Sequence, residues 1–95
     1  MDLLKQPLSP PDAKRLILKA LATGDVRFTT HALEEMAKDG IAQHEAITVL
    51  RGGVVEPGEF INTTWRYRVR ARRAVVVTAF RSESTAVVVT AWRTR

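Results

Sequence analysis

Residues 64–80, "TWRYRVRARRAVVVTAF", decide how this chain folds. Before them the apolar residues recur at helical spacing; here the period drops to two. Trp65, Tyr67 and Val69 fall on one face of an extended strand. Arg66, Arg68 and Arg70 fall on the other, about 7 Å apart along it. Three guanidinium groups cannot be buried without partners, so the alternation says which face looks inward. The stretch turns through "ARR" (71–73) into "AVVVTAF" (74–80), and "RSES" (81–84) leads on to "TAVVVTAW" (85–92). Valine, threonine and aromatic residues at this spacing suit antiparallel strands, and both connections are short enough for hairpins. The two valine-rich strands are apolar on both faces, as central strands are when both sides are partly covered. Thr78 and Thr90 are their polar members, in phase with Phe80 and Trp92.

Upstream, "VVEPGEFI" (54–61) reads as one further strand interrupted by a Pro-Gly turn. "SPPDAKRLILKALATG" (9–24) predicts a helix capped by Ser9, with Pro10 and Pro11 in its first turn and Gly24 as its stop. Leu16, Ile17, Ala20 and Leu21 form its apolar stripe. "DVRFT" (25–29) is short and alternating, with Val26 and Phe28 facing the core from an extended segment. A second helix, "HALEEMAKDG" (31–40), is capped by Thr29 or Thr30, turns Ala32, Leu33 and Met36 inward and ends at Gly40. A third, near Gln43 to Arg51, buries Ala46, Ile47 and Leu50. Residues 1–8 read as a loose terminus. The expected architecture is α+β, with helices packed on one face of a four-stranded antiparallel sheet. An N-terminal segment and helix (1–25) precede the main unit (26–95) within one compact domain.

Composition narrows the function. The chain has 95 residues and no cysteine, which removes disulfides, thiolate zinc sites and cysteine nucleophiles and fits a cytoplasmic protein. No apolar run nears the roughly 18 residues of a membrane span, so no membrane association is expected. "MDLLKQPLSPPDAK" lacks the basic start and apolar stretch of a signal peptide. Charge is strongly polarised. Residues 1–64 hold seven Lys/Arg and nine Asp/Glu, whereas residues 65–95 hold eight Arg and one acid, Glu83. Such a basic third, built from arginine alone, suits phosphates or an acidic protein, because the guanidinium fork grips both bidentately.

"FTTHALEEMAKDGIAQHEAITVLRGGVVEPG" (28–58), together with the later valine strands, resembles a family of small bacterial domains catalogued as of unknown function. Its pattern is Ser/Thr-x-His-Ala, a methionine five residues after the histidine, Arg/Asp-Gly-Ile, a helix, then a glycine and a strand with glutamate. His31, Ala32, Met36, Gly40 and Ile41 carry the likeness, which spans roughly residues 26–92; Asp39 stands where that family often has arginine. The family is in turn similar, in size and element order, to RelE and BrnT-type toxins of the barnase-like ribonuclease fold. The resemblance implies a RelE-like fold and a metal-independent endoribonuclease, the toxin of a toxin–antitoxin pair, acting on RNA and covered by an acidic antitoxin.

Metal-free RNA cleavage needs a base for the ribose 2′-hydroxyl, a donor for the leaving 5′-oxygen and cations for the phosphorane charge. His31 at a helix start suits the base, because the positive dipole end favours neutral imidazole. Arg68 would hold the phosphate and Thr90 orient it, with Arg66, Arg70 and Arg81 as further phosphate-binding groups. His31 is then expected within reach of the Arg66/Arg68 face. Plainer readings stand beside these: a helix-start histidine bonded to backbone, a strand-forming Thr90, and a solvated arginine face. His44 reads as surface, Tyr67 as buried, and Trp65 and Trp92 as sheet packing. No phosphate loop is present, since "RGG" lacks the lysine and spacing. Glu56 and Glu59 are the only carboxylate pair near the sheet, too few for a two-metal nuclease, so no metal and no cofactor are expected. The alternative function is a non-catalytic binding or regulatory module that uses the arginine face for RNA or an acidic protein.

Overall fold

The computed structural model describes residues 5–94. The first four residues of the expected loose terminus, and Arg95, lie outside the described residues. Helix α1 (Pro10–Thr23) leads to strand β1 (Asp25–Phe28), then α2 (Thr30–Lys38) and α3 (Gln43–Gly52). Strands β2 (Val54–Val55), β3 (Glu59–Ile61), β4 (Thr64–Arg70), β5 (Ala74–Ser82) and β6 (Thr85–Arg93) follow. The sheet runs β1-β6-β5-β4-β2, with β3 also paired to β4. The fold is α+β, as the sequence implies, but the open sheet has six strands rather than four.

Two causes account for the difference. Pro57 has no N–H for a ladder, so "VVEPGEFI" breaks into β2 and β3, each antiparallel to β4. The "DVRF" segment is a true strand, and it lies parallel to β6, with Val26 opposite Ala86 and Phe28 opposite Val88. A single parallel edge strand cannot be read from alternation, because pairing direction leaves no mark on the strand's own sequence.

Capping follows the sequence closely. The Ser9 hydroxyl accepts from Asp12 N at 3.2 Å, and the Thr29 hydroxyl accepts from Ala32 N at 2.9 Å. Gly40, at φ +67°, turns the chain out of α2. Gly24 sits so close to the β5–β6 turn that a Cβ would meet the Ser84 carbonyl oxygen at 2.0 Å. That approach lets Asp25 N donate to the same oxygen at 2.8 Å and starts β1 beside β6.

The helices share one core with one sheet face. Ala13, Ile17 and Ala20 of α1, Ala32 and Met36 of α2, and Ala46, Val49 and Leu50 of α3 pack with Tyr67, Val69, Val76, Phe80, Ala86, Val88 and Ala91. Leu33 departs from its expected inward position and is 39% exposed, because Ala32 and Met36 already fill the face α2 turns to the sheet. Helix α2 runs beside β6 where β1 stops. Thr29 N donates to the Val88 carbonyl at 3.1 Å, and Arg93 N donates to the Asp39 carboxylate at 2.9 Å. The helix thereby covers an edge that would otherwise be free. No helix among the described residues is long and apolar enough to cross a membrane.

The N-terminal segment is bonded into this frame. Tyr67 is fully buried; its hydroxyl donates to Gln6 Oε1 at 2.8 Å and accepts from Leu8 N at 2.9 Å. Lys14 Nζ donates to the carbonyls of Leu50, Arg51 and Gly53 at 3.0, 2.7 and 2.8 Å, closing the C-terminus of α3. Replacing Lys14 with methionine keeps the stem and removes all three bonds. Lys14→Met is expected to lower stability by about 2 kcal/mol, read as a lower urea midpoint at unchanged slope. The β3–β4 turn gives the opposite expectation. Asn62 (φ 50°) and Thr63 (φ 61°) both adopt the left-handed region, which a β-branched residue resists. Thr63→Gly should raise stability by about 1 kcal/mol, a melting-point rise of roughly 5 °C.

Candidate nucleic-acid interface

The arginines of β4 occupy the sheet face that the helices leave free. Tyr67 and Val69 belong to the helix-side core, and period-two alternation puts Arg66, Arg68 and Arg70 on the opposite side. Strand register then aligns rows across the sheet. Arg68 lies opposite Val77, which lies opposite Thr90; Arg70 lies opposite Val75, which lies opposite Trp92. Arg68 and Thr90 therefore share one row on one face.

Val75, Val77 and Ala79 are buried although they stand outside the helix-side core. Arginine stems and the Trp92 ring provide the cover. The Arg68 guanidinium reaches across β5 to lie 5.7 Å from the Trp92 ring centroid, a cation–π arrangement. Glutamates from the adjoining edge partly neutralise the face. Arg68 Nε meets Glu59 at 3.0 Å and Arg70 Nε meets Glu56 at 2.9 Å, all four side chains being 35–48% accessible to water. The carboxylate pair singled out in the sequence is thus engaged with arginine. Arg66 differs from its neighbours. Glu59 pairs with it in the β3–β4 ladder but forms its ion pair with Arg68 instead, and Arg66 Nε is buried without a hydrogen-bond partner among the described residues.

His31 stands exposed in the first turn of α2, while the next residue, Ala32, is buried. Among the described residues no hydrogen bond or ion pair joins it to an arginine. Its electrostatic neighbour is Glu35, one turn along. That carboxyl is held below its usual range first by the Lys38 hydrogen bond and also by His31. Arg81 is exposed in an irregularity of β5 between Phe80 and Ser82. It borders a hollow of about 450 Å³ with Arg27, Thr29, Thr64, Val87 and Val89. Thr78, the other threonine of the valine runs, is fully buried and donates to the Val87 carbonyl at 3.1 Å.

Sequence reading passed over three arginines with defined places. Arg72 and Arg73, in the β4–β5 turn, line a cleft with Arg93, Thr94 and Glu45. Arg93 grips Glu45 with both guanidinium nitrogens and donates to the Gly40 carbonyl at 3.0 Å, tying α3 to the end of β6. Its hydrogen bonds hold the Glu45 carboxyl below the usual range. Asp39, which stands where arginine is common in the resembling family, serves this junction through Arg93 N. Only the +7 balance of residues 65–95 hinted at these arginines.

No curated protein and no solved structure matches the chain. Helix α1 lies outside the residues that match a family. Residues 28–93, from the end of β1 to the end of β6, match the family described as Domain of unknown function (DUF4258), and the chain belongs to that family.

Proposed function

We propose that this protein binds RNA through the helix-free face of its sheet, as a binding or regulatory module. The observation that supports this reading is the row of Arg66, Arg68 and Arg70 on a face bearing Trp92 and no helix. Their paired glutamates are water-accessible, and exposed ion pairs of this kind contribute only about 0–1 kcal/mol. A polyanion with regularly spaced phosphates displaces them readily and releases its own counterions. Arg68→Ala should weaken binding of a labelled single-stranded RNA about tenfold and reduce the slope of log affinity against log salt by about one. Anisotropy titrations between about 50 and 200 mM salt read both. Wild-type affinity that ignores salt would sink the proposal.

A second reading is a RelE-like endoribonuclease, the toxin of a pair whose acidic antitoxin covers the same face. One observation favours it: His31 is exposed two residues after Thr29, which borders the hollow on that face. In this reading His31 takes the 2′-hydroxyl proton as that oxygen attacks phosphorus, and the P–O5′ bond breaks with water protonating the leaving 5′-oxygen. Arg68 holds the phosphate, and Thr90 orients it. Arg66, Arg70 and Arg81 hold neighbouring phosphates. His31→Ala should then abolish cleavage of RNA and leave affinity nearly intact, with folding unchanged because the side chain is exposed. Induced expression of the wild type that leaves growth untouched would argue against a toxin.

A further inference from the structure

The hollow beside the arginine row has a chemistry of its own. Ala79, Val87 and Val89 give it an apolar floor, Arg27 and Arg81 stand at its rim, and no carboxylate lines it. Its volume of about 450 Å³ falls inside the roughly 300–1,000 Å³ range of small-molecule sites. Arg27 is held by Asp25 at 2.6 Å, whereas Arg81 makes no ion pair among the described residues. Phe28 and Phe80 add apolar surface to its lining, and Arg66 lies outside it. The rim hydroxyls are already engaged. Thr29 Oγ1 accepts from Ala32 N and donates to the Val89 carbonyl, and Thr64 Oγ1 donates to the Asn62 carbonyl.

We infer that this hollow takes one unstacked nucleotide of a single-stranded RNA, its base against Ala79, Val87 and Val89 and its phosphate at Arg81. The inference rests on the RNA-binding reading above and adds which form of RNA is held. An apolar floor under a cationic rim matches a base joined to a phosphate. A duplex keeps its bases stacked inside, and an acidic peptide brings carboxylates with no flat apolar partner. Because the rim hydroxyls are engaged, side chains of the hollow read little of the base edge, and binding tolerates different bases.

Anisotropy titrations with oligo(U), oligo(A) and an RNA duplex of equal length test this against wild type, Arg81→Ala, Val87→Phe and Arg68→Ala. The single strands should bind more tightly than the duplex and within about threefold of each other. Arg81→Ala, at an exposed and unpaired residue, should weaken single strands about tenfold and spare the duplex. Val87→Phe should do the same by filling the hollow, with no charge altered. Arg68→Ala should weaken both forms. If Arg81→Ala and Val87→Phe change neither form, or both equally, while Arg68→Ala still acts, the hollow holds no base and the face reading stands alone. If the wild type binds none of these RNAs, or binds oligoglutamate in their place, both ideas fall.

Discussion

A slip of β4 by one residue would turn Tyr67 and Val69 outward and put three guanidinium groups beneath the helices. Most of the structure hangs on avoiding that slip. Strands β2, β3 and β5 all pair with β4, so its phase sets theirs. The phase also decides that Val55 packs inward beside Val69 while Val54 stays open to water. Tyr67 strengthens the constraint at its polar end. Its buried hydroxyl finds partners in Gln6 and Leu8, which no other register would supply.

The same alternation that builds the core creates the charged face, so both depend on one strand. Packing needs Val75 and Val77 covered, and arginine stems with Trp92 cover them without a second helical layer. A guanidinium resting on an indole and touching a carboxylate is held in place before any ligand arrives. That lowers the ordering cost of binding. The opposing glutamates act in the other direction, since a phosphate bound as proposed would have to displace them. The balance favours a multivalent anion over a single one, because each displaced pair is weak and the contacts add along the strand.

Helix α1 lies outside the family match yet is bound into the fold at both levels of chemistry. Ala13, Ile17 and Ala20 complete the apolar core. Lys14 satisfies three carbonyls at the end of α3, in the place where a helix leaves acceptors open. The far end of α3's neighbourhood is tied by Arg93 to Glu45 and Gly40. Together these contacts fix α3 across the sheet and leave the opposite face clear.

Local chemistry was legible in the sequence by itself. Ser9 and Thr29 announce helix starts, Gly24 and Gly40 announce ends, and the β4 alternation separates core from arginine face. Each of these depends on residues a few positions apart, where backbone geometry leaves few choices. The parallel partnership of β1 with β6 depended on a strand some sixty residues further along the chain. The candidate site divides the same way. The strand period put Arg66, Arg68 and Arg70 on one face, but only the ladder set Thr90 level with Arg68, left Arg66 Nε without a partner, and gathered Arg27 and Arg81 around one hollow. Register and pairing direction are properties of two strands at once, so neither strand's sequence can contain them.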